Sequence, residues 1–401
     1  MNEQLAPIPA HVAPVRVINY DFWKDPGLRT DLYGTVAKLR EMPDLFYTPC
    51  NQGHWVATRA DVIATILKTP ELFSNFPYLI PKSAGSPVPT PITETDAPVH
   101  TEYRRVIMQH MTPKTFDAME GSLRGLFADL IKDVRAKGSC DFVSEVGQII
   151  PVDVFLNWLD LPREHRAQFL QWAGDQLRNP DPLVRRQAKL DSLAYLRSFA
   201  AQREANPGND LISALLQTPF RGRRMTLDEL MPLIGTLFNA GLDTVTSNMS
   251  FMMRFLAEHP GHRRQLIEDP SLISNAIEEM MRFLTTANLA RCCSRDTEIN
   301  GVTLKAGEQI LIPFVLYGLD ERMNPDPMKV DFKRQNPTHL AFGLGPHFCA
   351  GTYLARMELR ILIQEWLKLI PHFAIKEGAQ IETSGGVVFG VRSLPLVWGV
   401  A

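Results

Sequence analysis

The chain has 401 residues, of which 45% are hydrophobic, and this is enough to build a substantial core. A net charge of -2 argues against general nucleic-acid binding, and no stretch reaches the roughly 18 continuous apolar residues that a membrane span needs. Residues 1–19 lack the basic start and apolar core of a secretory signal, which indicates a cytoplasmic protein.

The five cysteines do not show the paired spacing of a metal site. Cys292 and Cys293 are adjacent, which suits neither an ordinary disulfide nor zinc. Together with Cys50 and Cys140 they are expected to be free thiols in a reducing compartment.

The first hundred residues mix short elements with a long irregular segment. A helix is expected from Asp31 to Met42, an extended segment at 55–58, and a second helix from Asp61 to near Pro70. Residues 76–98 are rich in proline, and loops of that length are often the lid or the wall of a pocket.

From His100 to about Met281 helical patterns dominate, and one long helix is predicted at 226–258, opened by a capping box of Thr226 and Glu229. After Thr285 the pattern changes to short β-like runs at 299–304, 309–315 and 387–398. The predicted fold is mainly α with a small β-rich lobe (α+β) in a single domain over 1–401. Its α-rich part covers about 100–285, and its β-rich segments lie near the N-terminus and after 285.

The most informative segment is the decapeptide from Phe342 to Gly351, which places Cys349 in a glycine-bracketed loop directly before a helical pattern. Free N–H groups and the dipole at a helix N-terminus stabilise a thiolate. A thiolate in a water-poor loop is a suitable axial ligand for haem iron. The alternative is a buried structural cysteine after a glycine turn.

The pattern Phe-Gly-x-Gly-x-His-x-Cys-x-Gly resembles the haem-binding loop of the cytochrome P-450 family, whose members are haem-thiolate monooxygenases. The resemblance implies that Cys349 ligates the iron of haem b. It also implies the fold of that family over the whole chain.

A second landmark is the stretch from Ala240 to Thr244 in the middle of the long helix. Gly241 costs about 1 kcal/mol there relative to alanine, and a mid-helix threonine can bond back to a carbonyl and bend the axis. The alternative is a packing glycine beside a solvated Asp-Thr pair. The resemblance makes this stretch the oxygen-binding groove, with Thr244 bonded to dioxygen and Asp243 delivering protons through water.

Glu279 and Arg282 stand three residues apart, where they can pair on one helix face. Such pairs also decorate many solvated helices. The resemblance implies instead the buried structural Glu-x-x-Arg of the family, with a third member that is Arg334 in preference to Arg322.

His100 and Arg104 lie four residues apart at a helix start, and both are suitable donors to the propionates of haem. The alternative is a surface basic pair. The resemblance adds Arg291 and His347 to this propionate clamp. Leu289 stands where the camphor enzyme has a carboxylate, so the clamp differs there.

Segments at 241–245, 318–322, 370–375 and 394–398 resemble the bacterial camphor-hydroxylase subfamily. The camphor enzyme holds its ketone with a tyrosine, and Val88 takes that position here. By the same alignment the substrate pocket is lined by Val88, Thr236, Asn239, Ala240, Ala287, Val387 and Val388. Most are small and apolar. Asn239 is expected either to bind a substrate oxygen or to bond to a neighbouring helix or water.

The chain contains no flavin or iron–sulfur motif, so electrons must come from outside. The resemblance implies a small acidic ferredoxin, served by a ferredoxin reductase, that docks on the cysteine side. A basic docking patch could be formed by Arg104, Arg105, Arg356 and Arg360. Ordinary solvated charge is the alternative for each.

The expected function is that of a monooxygenase that uses dioxygen to hydroxylate a small apolar molecule, a cyclic terpenoid or norisoprenoid. One alternative is a peroxide-driven or isomerising member of the same fold, against which the intact Asp243–Thr244 pair argues. The other is a non-catalytic haem-based binding or sensing protein.

Overall fold

The computed structural model describes residues 5–84, 89–178 and 182–399. Helices carry most of the regular structure of these ranges: α1 Gly27–Thr30, α2 Leu32–Ala37, α3 Ala60–Lys68, α4 Val99–Met108, α5 Pro113–Asp117, α6 Glu120–Arg135, α7 Ile149–Trp158, α8 Arg166–Arg178, α9 Pro182–Ala205, α10 Leu211–Gln217, α11 Leu227–Glu258, α12 Pro260–Glu268, α13 Ile273–Phe283, α14 Val315–Gly318 and α15 Thr352–Leu369.

The strands are short and lie mainly outside the helical part: β1 Leu45–Thr48, β2 His54–Ala57, β3 Phe73–Ser74, β4 Ser139–Asp141, β5 Pro219–Phe220, β6 Arg223–Arg224, β7 Asn288–Cys293, β8 Thr297–Ile299, β9 Val302–Leu304, β10 Gln309–Pro313, β11 Ala374–Ile375, β12 Thr383–Ser384, β13 Gly390–Val391 and β14 Pro395–Val397. The largest sheet has the order β1-β2-β10-β7-β3. In it only β2 and β10 run parallel, and the other neighbours are antiparallel.

Helical and sheet segments share one continuous cluster of buried apolar side chains, which includes Val56 of β2, Phe238 of α11 and Trp366 of α15. The mainly α fold with a small β-rich lobe is therefore confirmed. Within the described ranges, no helix has the length and apolar character needed to cross a membrane. All five cysteines are free thiols.

Two predicted elements differ in detail from the structure. The helix expected over 31–42 is α-helical only to Ala37 and continues as a 3-10 turn over Lys38–Glu41. The β-like run at 387–398 is split into β13 and β14, which belong to different sheets. Asp141 causes the break, because it accepts hydrogen bonds from the Ser393 hydroxyl (2.5 Å) and the Leu394 N–H (3.3 Å) and turns the chain there.

Helix α11 runs without interruption for 32 residues. The predicted capping box is present, because the Thr226 hydroxyl accepts from the Glu229 N–H and the Glu229 carboxylate accepts from the Thr226 N–H. The helix is buried along most of its length. Its centre is an exception, since Ala240 and Gly241 are exposed although Phe238 and Leu242 are buried.

Candidate haem and oxygen site

The cysteine loop has a backbone shape that requires glycine at two positions. Gly343 and Gly345 have φ angles of +72° and +75°, which L side chains rarely adopt. A Cβ atom on Gly345 would also lie 2.4 Å from the Leu67 carbonyl oxygen. The loop closes on itself, because the Cys349 N–H donates to the Phe342 carbonyl over 2.8 Å.

The Cys349 thiol is accessible, yet it faces a partly enclosed space. Burial is the largest influence on its pKa and raises it above the usual thiol value. The Gly351 N–H, Arg104 and the Thr352 hydroxyl act in the opposite direction. The start of α15 therefore lowers the pKa of the Cys349 thiol, as expected, but this effect is smaller than the increase that desolvation of the sulfur causes.

The centre of α11 borders open space. A Cβ atom on Gly241 would have no protein atom within 4 Å, so this face of the helix borders free space and not a packed neighbour. The Thr244 hydroxyl donates to the Ala240 carbonyl over 2.7 Å, which is the back-bonding that the sequence suggested. The Asn248 amide donates to the Thr244 carbonyl over 2.7 Å and secures the same turn. Asp243 is half-buried beside Thr244.

Two of the predicted propionate donors, His100 and Arg291, are buried and can donate more hydrogen bonds than they make. His100 is 4% exposed, and its Nε2 has no hydrogen-bond partner among the described residues. Arg291 is also 4% exposed, and burial lowers its pKa to about 10. Its Nη1 donates a hydrogen bond to the adjacent Ala290 carbonyl over 2.9 Å. Buried donors without sufficient acceptors fit an anionic ligand such as a propionate.

His347 packs against His100, with ring centroids 4.1 Å apart. Its Nδ1 donates to the Ile92 carbonyl over 2.9 Å, and its Nε2 lies 3.9 Å from Oδ1 of Asp96. Both ring nitrogens therefore face protein acceptors, and His347 ties the cysteine loop to the segment at 90–96. Ile92 has a φ of +72°, a strained conformation for a β-branched residue, and the bond from His347 holds its carbonyl in place.

Arg104 lies on α4, close enough to the cysteine for the two charges to interact. Burial lowers the pKa of Arg104, and the field of Cys349 raises it. Arg104 is half-buried, so it is placed to act toward the site and not as a freely solvated charge.

The buried cluster of Glu279, Arg282 and Arg334 has the predicted composition. Arg282 and Glu279 are both 0% exposed and pair over 2.7 Å. Nε of Arg334 lies 3.0 Å from both oxygens of Glu279, so Arg334 is confirmed as the third member. Arg322 instead pairs with Asp320 (2.7 Å). Arg282 also donates to three carbonyls of the segment before the cysteine loop and so fixes that segment to α13.

The structure connects some of the predicted pocket residues in two separate groups. Ala287 and Val388 form an isolated antiparallel bridge, and the Val387 carbonyl accepts from the Asn288 N–H over 2.8 Å. The Thr236 hydroxyl lies 3.3 Å from the Pro91 carbonyl, which connects α11 to the proline-rich loop. Val88 lies outside the described residues.

The docking patch predicted from four arginines is only partly available. Arg356 makes two hydrogen bonds to Glu278 (2.6 and 2.7 Å), and Arg360 makes two to Glu120 (3.0 Å each). Burial alone would raise the pKa of Glu278, but the bonds from Arg356 and His339 lower it to about 2. The positive charges of Arg356 and Arg360 are therefore compensated by paired carboxylates. Arg105, in contrast, is exposed and has no ion pair among the described residues.

Two residues of interest were not recognised as such in the sequence. Asp96 accepts from the Ser74 hydroxyl and from the Asn75 N–H (3.1 Å) and faces His347. Its position at the start of the segment that carries His100 was the available signal. Glu358 is 3% exposed with an unpaired Oε2, and a charged residue on the apolar face of the α15 pattern could have revealed it.

The accessible cysteine, the open space beside the centre of α11 and the buried donors of His100 and Arg291 fit a haem-thiolate protein. The chain belongs to the cytochrome P-450 family: the family model described as cytochrome P-450 matches residues 184–384, and a curated relative is 32% identical over 98% of the chain. Members of this family bind haem b through an axial cysteine thiolate, and the chain is an enzyme of this class.

The relative at 32% identity is a probable cytochrome P-450 127A1 from Sinorhizobium fredii, and the match covers 97% of it. An erythromycin C-12 hydroxylase from Saccharopolyspora erythraea is also 32% identical, over 93% of this chain and 96% of its own. The crystal structure of CYP101J2 superposes with a TM-score of 0.91 at 32% identity, covering 98% of this chain and all of its own. The predicted resemblance to the camphor-hydroxylase subfamily is thereby confirmed.

Proposed function

We propose that the chain is a monooxygenase that hydroxylates a small apolar substrate, a cyclic terpenoid or norisoprenoid, with dioxygen and electrons from a ferredoxin. The observation that carries the proposal is the glycine-locked loop that presents an accessible Cys349. The open space beside Gly241, the unpaired Nε2 of His100 and the buried guanidinium of Arg291 support it.

Haem bound through Cys349 would supply the activation of dioxygen, because a thiolate ligand donates electron density that favours O–O cleavage. His100, Arg104 and Arg291 would hold its propionates. His347 takes part in the same cluster, mainly through its bonds to the loop at 90–96.

Thr244 and Asp243 manage protons in the groove. The Thr244 hydroxyl donates its single proton to the Ala240 carbonyl, so in this orientation it can accept from a group that lies in the open space beside Gly241, and by rotating it can donate to that group instead. The half-buried carboxylate of Asp243 exchanges protons with water and renews the proton on that hydroxyl. A groove that is otherwise apolar keeps bulk water from the reacting atoms.

The substrate pocket consists of Val88, Thr236, Asn239, Ala240, Ala287, Val387 and Val388. Its small apolar side chains suit a compact hydrocarbon skeleton, and the described part of the proline-rich loop meets it where the Thr236 hydroxyl lies 3.3 Å from the Pro91 carbonyl. We place the enzyme in the cytoplasm, as one domain over 1–401, with electrons delivered by an acidic ferredoxin and its reductase.

The test is a titration of the ferric holoprotein with a panel of terpenoids and ionones, followed in the Soret band, and then turnover with NADH, reductase and ferredoxin. A low-to-high-spin shift and product stoichiometric with NADH consumed are expected. Spin shifts without any turnover would support a binding or sensing protein. Turnover with peroxide alone would support the peroxide-driven alternative. Intact haem with no response to the panel would remove the terpenoid assignment.

A further inference from the structure

Asn239 has unused hydrogen-bonding groups in a setting where such groups are costly. Its Oδ1 is buried and has no partner among the described residues, and no hydrogen bond from its amide nitrogen occurs there either. A buried polar group without a partner costs about 1–3 kcal/mol relative to a paired one. Native structures satisfy nearly all such groups with protein, water or ligand.

The two threonines of α11 that belong to the predicted site already donate their hydroxyl protons. The Thr236 hydroxyl donates to the Pro232 carbonyl (2.8 Å), and the Thr244 hydroxyl donates to the Ala240 carbonyl (2.7 Å). Ala287, Val387 and Val388 have no polar side-chain atoms. Among the described residues predicted to line the pocket, Asn239 is therefore the side chain that still has both a donor and an acceptor to offer.

The neighbouring helices do not satisfy Asn239. Gln176 of α8 and Ser192 of α9 line the same small cavity, but the Gln176 amide donates to the Ser192 hydroxyl over 3.1 Å. That hydroxyl in turn donates to the Lys189 carbonyl over 3.0 Å. These groups bond to each other within the wall and leave Asn239 without a direct partner.

We propose that Asn239 anchors the substrate through an oxygen function, so the substrate class is an oxygen-bearing compact hydrocarbon and not a plain hydrocarbon. This inference rests on the monooxygenase function proposed above. Asn239 precedes Thr244 by five residues, which is about 7.5 Å along a helix. The anchor and the proton-handling groups thus stand on one rigid element, whereas the camphor enzyme uses a tyrosine of the loop.

The test uses matched ligands and matched variants of the ferric holoprotein. Bornane, camphor and borneol share one skeleton and carry no oxygen, a ketone and an alcohol, and further sets are built on any skeleton that binds better. Dissociation constants come from the spin shift. In Asn239→Leu we expect binding of the oxygen-bearing ligands to weaken about tenfold to a hundredfold, with the hydrocarbon changed less than about threefold.

Asn239→Asp separates the two roles of the amide, because a carboxylate accepts but does not donate. It is expected to retain alcohol binding and to lose ketone binding. Gln187→Ala, an exposed position on α9, is the control and should change none of the constants.

Equal losses for hydrocarbon and oxygen-bearing ligands in Asn239→Leu would mean that Asn239 binds only an internal water or supports the wall, and would overturn the inference. That result leaves turnover of a terpenoid intact, so the function proposed above would stand. Failure of every skeleton to bind would instead overturn the terpenoid assignment and this inference with it.

Discussion

The imidazole ring of His100 lies against that of His347, with centroids 4.1 Å apart and planes inclined by 42°. Burial lowers the pKa of His100 to about 4, with His347 and Arg104 adding to the effect and Asp96 opposing it. His100 is therefore neutral at physiological pH. It has one unpaired nitrogen, whereas both nitrogens of His347 face the loop at 90–96.

This difference predicts that His100 contributes more than His347 to haem retention through direct contact. His100→Ala removes a buried donor and should accelerate transfer of haem to apomyoglobin by about three- to tenfold, as expected for one neutral hydrogen bond. His110→Gln is the control, since His110 also belongs to the end of this helical region but bonds to Thr218 (2.8 Å). Equal haem loss from wild type and His100→Ala would contradict the assignment.

The cluster of Glu279, Arg282 and Arg334 should be costly to break. Arg334→Ala leaves the fully buried Glu279 with one cation instead of two, and a loss of about 3–5 kcal/mol in the free energy of unfolding is expected. Lys305→Ala breaks the exposed pair with Asp296 and should cost at most about 1 kcal/mol. Urea unfolding measures both, and similar small losses would show that Arg334 is dispensable.

Glu358 predicts a pH dependence of stability. Burial raises its pKa to about 8 from the ordinary 4.5, so the folded state keeps a proton that the unfolded chain releases. Between these two values the free energy of unfolding falls with rising pH, by up to about 1.4 kcal/mol per unit. The stability that a protonated Glu358 contributes to the folded state is fully present below pH 4.5, and it is lost once the pH rises above about 8.

Glu358→Gln remains neutral and should flatten that slope, so that the variant gains stability relative to wild type between pH 5 and pH 9. Urea unfolding across this range is the measurement, with the exposed Glu298→Gln as control. Parallel slopes in Glu358→Gln and wild type would show that the carboxyl is ionised in the folded protein.

Thr244→Ala removes the hydroxyl that is held toward the Ala240 carbonyl and should uncouple electron use from product formation. Substrate-induced spin shift and haem reduction are expected to be retained, with product per NADH at least about tenfold lower and peroxide in its place. Cys349→Ser should lose the thiolate spectrum altogether. Undiminished coupling in Thr244→Ala would exclude the hydroxyl from proton handling.

The ion pairs on the cysteine side predict unequal roles for the four basic residues. Arg105→Glu should weaken the binding of an acidic ferredoxin and reduce the salt dependence of that binding. The reason is that Arg105 is exposed and has no ion pair among the described residues. Arg356→Ala should mainly remove the ion pair with Glu278 and so lower the free energy of unfolding. A ferredoxin KM that responds to Arg356 and not to Arg105 would reverse this ranking.

Elements whose signals are local could be predicted from the amino-acid sequence. The decapeptide around Cys349 requires particular backbone angles at its glycines, and the capping box of Thr226 and Glu229 marks the start of α11. The mainly α fold, the family and the trio of Glu279, Arg282 and Arg334 were predictable for the same reason, because motif order and spacing carry them.

The partners that the side chains meet depend on how the whole chain folds. The bond from His347 to Ile92 joins residues 255 positions apart, and the pairing of Arg356 with Glu278 spans 78 positions, so no local pattern reports them. The unpaired state of Asn239 is likewise a property of what α8 and α9 leave uncovered. Hydrogen bonds and charges act over a few ångströms in space, and only the folded chain defines those neighbours.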